Sequence, residues 1–449
     1  MKTQPQSPMS DHLVSRRQFA GISAAALGSS LLPLNQLWAE SPRKRPRVAV
    51  VLTIMTYRSH AHVILENFVG PYMFNGKKTE PGVDVVSIYA DQRRNGDMLD
   101  DFTKHYKIPM FKTIEEALCV GGKNLDVEAV LLIGEHGNYP RTELGQTKYP
   151  RKRFFDEAAA VMRRTGRSVP IFNDKHLSYR WDWAKQMYDT SREMKIPFLA
   201  GSSVPLAERR PALDLPVGAK IDDAIAVHGG PLESYDFHGL ELLQSMVESR
   251  KGGETGVASI EFLEGDAALK AAEEGRWSKE LANAAMKAEL GYVPKRFQQI
   301  KGEPEVVPHV LLVNYKDGLK GTVLRVGRDS TRWNFACRMN GKPDIHATAF
   351  NVGPWENRCL FKALSHAIQH HFIHGKAPYP VERTLLVTGM LEAAMKARAT
   401  KSKRLETPHL EFAYAAQDYN AMREMGASWK VITNEIPQPP GIHRQVFAK

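Results

Sequence analysis

Cysteine is scarce in this 449-residue sequence, which contains Cys119, Cys337 and Cys359 and no Cys-x-x-Cys pair. Three cysteines cannot all pair with one another, so the sequence predicts neither a disulfide scaffold nor a zinc knuckle. Basic residues exceed acidic ones by a net charge of +11, but the excess is spread along the chain and its dense runs, 43–45 and 401–404, are short. The pattern therefore indicates a solvated basic surface and no nucleic-acid partner.

Long apolar runs are also missing. After residue 39, no stretch approaches the ~18 apolar residues that a membrane-spanning helix requires, so no transmembrane helix is predicted in the mature chain. The remaining composition, 43% hydrophobic and 25% charged, excludes extensive disorder and a coiled-coil rod. The length predicts two or three domains, at about 100–200 residues per domain.

The first 39 residues have the pattern of an export signal. Arg16 and Arg17 precede a short, weakly apolar run at 21–28, and Ala39 offers a small residue for cleavage. Paired arginines ahead of a mild apolar run are typical of a twin-arginine signal peptide. We therefore expect a signal at 1–39, export by the twin-arginine machinery, and a periplasmic mature protein whose net charge falls from +11 to +9.

Apolar runs alternate with amphipathic stretches in residues 46–205. Strands are predicted at 47–54, 84–91, 129–134, 169–172 and 196–201. Nearly continuous apolar strands separated by helices indicate a parallel sheet that is covered on both faces. We therefore expect an α/β chain whose N-terminal domain is doubly wound and Rossmann-like, with ligands binding beyond the carboxyl ends of its strands.

Residues 206–400 follow a different pattern. A strand at 224–228 and a helix at 237–249 precede a series of more polar, alternating strands between 257 and 350, with hairpin-turn chemistry at 317–321. This indicates an α+β domain with a mainly antiparallel sheet. Helices are expected at 360–372 and 381–398, where they cover the junction of the two domains, and residues 401–449 form a C-terminal extension.

Four motifs stand out, at 113–118, 171–178, 237–241 and 378–383. They resemble motifs of the Gfo/Idh/MocA oxidoreductase family. The resemblance extends over about residues 46–400. Members of that family are mostly NAD(P)-dependent sugar and polyol dehydrogenases, so the resemblance implies oxidoreductase-type chemistry on a sugar or sugar derivative. The sequence leaves open whether the protein forms a homo-oligomer.

The resemblance also implies a set of catalytic residues. Lys175 matches the family's lysine, which holds a substrate hydroxyl, and His238 matches the histidine that takes the hydroxyl proton. A histidine suits that task because its pKa is close to the working pH. Glu241, one helical turn after His238, is the third catalytic candidate.

The expected dinucleotide site departs from the family pattern. A pyrophosphate approaches the backbone at a glycine-rich turn after the first strand, yet residues 52–62 contain no glycine. The candidates for cofactor binding are therefore single side chains: Thr53, Arg58, Asp91 and Glu135. The resemblance predicts NAD(P), whereas the missing glycines argue against it.

Two further hypotheses come from the polar residues near the predicted strand ends. A divalent metal held by imidazoles could serve a lyase, isomerase or hydrolase reaction in place of nicotinamide. Its candidate ligands are His136, His176, His228 and His238. The other hypothesis is a carbohydrate-binding relative without catalytic activity.

Overall fold

The computed structural model describes residues 44–354, 357–400 and 404–431. The predicted signal peptide at 1–39 lies outside the described residues, as do 401–403 and 432–449 of the predicted C-terminal extension. By its contacts the chain divides into Met1–Lys44 and Arg45–Lys449, and the architecture below belongs to the second unit.

The first sheet contains six parallel strands in the order β5-β4-β1-β6-β7-β8. These strands are β1 Arg47–Leu52, β4 Asp84–Ala90, β5 Met110–Phe111, β6 Ala129–Ile133, β7 Ile171–Asp174 and β8 Phe198–Gly201. A small hairpin, β2 Tyr72–Phe74 and β3 Lys77–Thr79, lies apart from this sheet. All five residues of β6 are buried, which agrees with the prediction of a sheet covered on both faces.

Helices connect and cover these strands. They are α1 His60–Val69, α2 Leu99–Tyr106, α3 Ile114–Leu118, α4 Arg151–Thr165 and α5 Trp181–Glu193. Local sequence explains their ends: Thr113 and Glu116 form a capping box at the start of α3. Gly166 takes the left-handed conformation, with φ 67°, at the end of α4.

The second sheet has eight strands in the order β16-β11-β12-β13-β10-β14-β15-β9. They are β9 Glu208–Arg210, β10 Ile221–His228, β11 Val257–Glu264, β12 His309–Tyr315, β13 Lys320–Arg325, β14 Trp333–Met339, β15 Ile345–Asn351 and β16 Leu405–Glu406. Only the pair β10 and β13 is parallel. The prediction of a mainly antiparallel second sheet is therefore confirmed.

The remaining helices are α6 Asp236–Val247, α7 Asp266–Glu273, α8 Lys279–Leu290, α9 Asn357–His374, α10 Val381–Ala399 and α11 Ala427–Val431, with 3-10 turns at Val204–Leu206, Pro408–Leu410 and Asn420–Met422. α10 packs against β8 and α5 of the first sheet's layer and against α6 and β11 of the second. It is buried on nearly all sides, as expected of a helix between two layers.

Most of the predicted elements lie within three residues of their predicted bounds. Helices α7, α8 and α11 and the short strands β2, β3, β5, β9 and β16 were not predicted. The predicted division at 205/206 falls within the turn Val204–Leu206, and the two-domain boundaries stay a prediction. Among the described residues, no helix combines the length and the apolar character that crossing a membrane requires.

Candidate functional site

A cleft of about 600 Å³ lies where the carboxyl ends of β1, β6 and β7 face the start of α6. The loops after those three strands supply one wall, and residues 231–238 with Trp333 supply the other. Its basic and acidic lining residues are Arg58, His60, Glu135, His136, Arg141, Lys175, Glu233 and His238. The strand-end placement that the sequence predicted for Lys175 and His238 therefore brings both into one cleft.

A buried charge network holds Lys175. Its Nζ lies 2.9 Å from Glu135 Oε1, and the other Glu135 oxygen accepts a hydrogen bond from Arg151. Burial opposes ionisation of both Glu135 and Lys175, but their mutual attraction prevails: the pKa of Glu135 is well below its usual value and that of Lys175 is raised. Lys175 is therefore a fixed cation in the cleft wall.

His238 is held by a relay on the other wall. Its Nδ1 lies 2.9 Å from Ser202 Oγ, and the Ser202 hydroxyl donates in turn to Glu241. The Glu241 carboxylate also accepts the Ser202 backbone N–H at 2.9 Å. This geometry places the proton of the imidazole on Nδ1 and leaves Nε2 to accept a proton. Burial, followed by the charge of Lys175, lowers the pKa of His238 well below its usual value, so the ring is a neutral base.

Gly201 makes the relay possible. Its φ of 134° belongs to the region that favours glycine, and a Cβ on this residue would lie 2.4 Å from Glu241 Oε1. Any larger residue would push the carboxylate away from Ser202. Glu241, predicted as catalytic, therefore contacts the base through Ser202, and its catalytic assignment stays a prediction.

Glu241 gives the stability of the protein a pH dependence. Burial raises the pKa of its carboxyl from 4.5 to about 7. Between these two values the unfolded chain ionises while the folded chain keeps the proton, so the folded state loses stability as the pH rises. At 1.36 kcal/mol per pKa unit, we expect the wild type to lose about 3 kcal/mol relative to Glu241→Gln between pH 4.5 and pH 7.5. Urea unfolding of both proteins at the two pH values measures this difference.

The exposed Glu115, whose side chain is 62% accessible, supplies the matched control. Glu115→Gln should leave the pH dependence of the wild type unchanged, because this side chain remains largely in contact with water in the folded protein. Equal pH slopes for the wild type and Glu241→Gln would contradict the raised pKa.

Strained backbone is concentrated at the cleft. Nine described residues other than glycine have a positive φ, and four of them line the cleft: Arg58, His136, Lys175 and Glu233. Side chains in the left-handed region cost of order 1 kcal/mol each and persist where the surroundings impose them, most often at functional sites. The concentration at this cleft marks it as the functional site.

Glu233 is the second carboxyl in the cleft. Burial, followed by the negative charge of Glu135, raises its pKa from 4.5 to about 7. Its backbone N–H donates to Asp236 Oδ2 at 2.7 Å. Glu233 therefore gains and loses its proton near neutral pH and is held at a fixed position in the cleft.

Aromatic rings form the remaining part of this wall. Trp333 stacks on Tyr235 with 5.1 Å between ring centroids, and His238 meets the edge of the same indole at 5.2 Å. Trp333 Nε1 is buried and has no hydrogen-bond partner among the described residues. Such a wall suits the apolar face of a polyhydroxylated ring.

The turn after β1 does not fit a dinucleotide. Its backbone N–H groups donate to its own side chains: Thr56 to Ser59 Oγ at 3.0 Å and Arg58 to His62 Nδ1 at 2.8 Å. Ser59 also caps α1. A pyrophosphate requires free N–H groups at this helix terminus, and here the N–H groups of Thr56 and Arg58 already have protein acceptors.

The predicted cofactor ligands are likewise engaged. Thr53 is fully buried and donates to the Glu135 carbonyl. Asp91, in the position of a ribose-binding acid, accepts hydrogen bonds from Tyr89, Tyr139 and Arg153. Of the four predicted cofactor ligands, Arg58 and Glu135 line the cleft. Their cofactor-binding roles stay a prediction, but we derive no chemical step through a nicotinamide.

The structure gives no support to a metal held by the four predicted histidines. Arg151 Nη1 lies 3.0 Å from His176 Nε2, so a cation already occupies the position where a metal would bind. His228 lies at the end of β10, and its Nε2 is 3.0 Å from Asp236 Oδ1.

His309 Nε2 lies 2.6 Å from that same oxygen of Asp236. These two histidines and Asp236 are the one group of three potential metal ligands among the described residues. Because both imidazoles already share one carboxylate oxygen, the group forms a buried hydrogen-bonded anchor for α6. The four-histidine prediction failed because sequence spacing does not show which wall a strand-end side chain faces.

Several residues that line the cleft or hold its side chains were not predicted from the sequence. Ser202, Trp333 and Tyr235 have no distinguishing motif, and their positions depend on the packing of α6 against two sheets. His60 carried a weak signal, as a histidine in the turn after the first strand. Asp174 directly precedes Lys175 at the end of β7, and its role becomes visible only through its contact with His60.

Solved structures that share the fold include proteins named as dehydrogenases. GenD2 of gentamicin A biosynthesis, solved with NAD, is 13% identical with a TM-score of 0.52, covering 84% of this chain and 99% of that one. Myo-inositol dehydrogenase from Lactobacillus casei, solved with NAD(H) and myo-inositol, is 12% identical with a TM-score of 0.52, and the match covers 84% of this chain and 99% of that one. A probable dehydrogenase from Thermotoga maritima is 13% identical with a TM-score of 0.50, and the match covers 81% of this chain and 99% of that one.

No protein-family model matches the sequence, and no curated protein sequence matches it. The predicted resemblance to the Gfo/Idh/MocA family is confirmed as a likeness of fold. At these identities the likeness extends to the architecture, and what the chain does has to be argued from its own cleft.

Proposed function

We propose that the cleft binds a sugar or sugar derivative and that His238 transfers a proton to or from it. The observation that carries the proposal is that Lys175 and His238, held by separate networks on opposite walls, line one cleft with the Tyr235–Trp333 stack. A fixed cation holds a substrate oxygen, a neutral imidazole exchanges a proton, and an aromatic face packs on the ring. Structural neighbours that include a myo-inositol complex support this substrate class.

Deprotonating a hydroxyl is the acid–base half of a sugar dehydrogenation. The hydride half needs a nicotinamide, and the turn after β1 does not fit one in the position used by doubly wound folds. The oxidoreductase likeness therefore supports the fold and the acid–base residues, while the redox half has no support from the residues of this turn.

Binding of a sugar panel tests this function. Calorimetric titration with aldoses, ketoses, uronic acids and inositols should show a ligand for the wild type. Lys175→Met should weaken its binding about 10- to 100-fold, since a hydrogen bond to a charged group is worth about 1.5–3 kcal/mol. Lys185→Met, which removes a lysine whose side chain is 46% exposed on α5, should bind as the wild type does. Absence of any ligand in the panel would count against the proposed function.

We further propose that the protein is exported by the twin-arginine route and acts in the periplasm. Replacing both Arg16 and Arg17 with lysine should lower the exported fraction roughly tenfold or more, because the signal is read by a receptor and an ammonium does not replace a guanidinium fork. Cell fractionation with immunoblotting of the mature and precursor forms measures this. Lys2→Arg is the control, and unchanged export of the paired variant would contradict the route.

A further inference from the structure

His60 lies where a doubly wound fold normally places the cofactor. It is the first residue of α1, directly after the turn that follows β1, and its Nδ1 lies 2.6 Å from Asp174 Oδ2 at the end of β7. Since β6 lies between β1 and β7 in the sheet, the His60 side chain reaches across the end of β6. That edge is the topological switch point at which such sheets bind their ligands.

Asp174 fixes the orientation of this imidazole. The carboxylate is fully buried, and its Oδ1 has no hydrogen-bond partner among the described residues. A buried carboxylate on Nδ1 fixes the orientation and tautomer of a histidine and makes Nε2 the nitrogen that exchanges protons. Phe361 packs edge-on against the same ring at 4.6 Å. His60 is therefore positioned as firmly as His238.

The two histidines share a cleft with one fixed cation. His60 and His238 both line it, and Lys175 lies in its wall. Each imidazole has its Nδ1 engaged by a protein oxygen, Asp174 for His60 and Ser202 for His238. An arrangement of two oriented imidazoles and an ammonium provides two proton carriers and a stabiliser for a developing oxyanion.

We propose that His60 is a second proton-transfer residue, and that the cleft moves a proton at a carbon next to a carbonyl group of a keto sugar, with no nicotinamide. This rests on the proposed sugar-binding function and names its substrate class.

His60 takes the proton from that carbon through Nε2, and the C–H electron pair forms the double bond of an enolate whose oxygen faces the Lys175 ammonium. His238, which has taken a proton from solvent on Nε2, returns it to the carbon, so the C–H bond re-forms and the carbonyl is restored. The net change is epimerisation, with no oxidant or reductant consumed.

Hydrogen exchange with solvent tests the proposal. In D₂O without nicotinamide, D-fructose, D-tagatose and 2-keto-myo-inositol serve as probes, and ¹H NMR follows the signal of the C–H next to the carbonyl. We expect the wild type to exchange that hydrogen in a probe that binds. His60→Asn should lower the exchange rate about 10²- to 10⁴-fold while the probe still binds, because the asparagine amide can still donate to Asp174.

His374→Asn, at an exposed position on α9, is the control and should exchange at the wild-type rate. Should His60→Asn fail to fold, His60→Gln takes its place. A probe that binds without exchange by the wild type, or wild-type exchange by the folded His60 variant, overturns the inference and leaves sugar binding intact.

Dinucleotide titration gives a readout that needs no sugar. Calorimetry with NAD⁺ and NADP⁺ should show no binding to the wild type, because His60 and the turn before it fill the switch point. Tight binding of either dinucleotide overturns the inference whatever the sugar result. If neither a sugar nor a dinucleotide binds, the proposed function fails and the inference fails with it.

Discussion

His238→Asn should lower the turnover of a sugar converted in the cleft about 10²- to 10⁴-fold, which is the usual contribution of a positioned acid–base group. The asparagine amide can still donate to Ser202 Oγ, which His238 contacts at 2.9 Å, so the relay to Glu241 remains. The nitrogen that accepts the proton is lost. The loss should therefore fall on kcat, with sugar binding close to that of the wild type.

Steady-state kinetics and calorimetry on the same preparation separate these two quantities. Ser202→Ala is the informative companion variant, because it keeps the imidazole and removes the contact that fixes its tautomer. We expect it to lower kcat less than His238→Asn does and to change the pH profile of kcat, as a positioning residue should. Wild-type turnover by His238→Asn would show that the base lies elsewhere in the cleft.

Glu135→Leu should destabilise the folded protein by about 3–5 kcal/mol. Glu135 is the shared partner of the Lys175 ammonium and the Arg151 guanidinium, and all three side chains are at most 8% exposed. Removing the carboxylate leaves two like charges buried side by side without an anion, and breaking a buried ion pair from one side typically costs this much. The midpoint of urea unfolding, compared with the wild type at equal slope, measures the loss.

Two variants identify the cause of that loss. Asp189→Asn removes one half of the solvent-exposed pair with Lys185, and we expect it to cost less than about 1 kcal/mol. Adding Lys175→Met to Glu135→Leu removes one of the two orphaned cations and should recover part of the stability. If the double variant is less stable than Glu135→Leu alone, lost packing and not unpaired charge explains the effect.

Much of the fold was predictable because its signals are local. The all-apolar strand at 129–133 could only be buried on both faces. Thr113 and Glu116 form the sequence pattern of a capping box, and α3 begins directly after Thr113. The turn residues at 317–321 predicted a hairpin, and in the structure they connect the antiparallel strands β12 and β13. Helices α7 and α8 were missed because their apolar residues are mostly alanine, which gives a weak periodic signal.

The candidate site was predictable only in part. Lys175 and His238 followed from strand-end placement and from a family resemblance. Ser202, Trp333 and Asp174 could not be found this way, since each acquires its role from a partner 36 or more positions distant in the chain.

The sequence by itself determined the layer architecture, the absence of glycine from the turn after β1, and the two residues most expected to act on a substrate. Periodicity, turn chemistry and residue type are local properties, so they can be read without coordinates. Only the tertiary structure decided what replaces the glycines, because that depends on contacts between distant strand ends. The contact of His60 with Asp174 is of this kind, because the two residues are 114 positions apart in the chain.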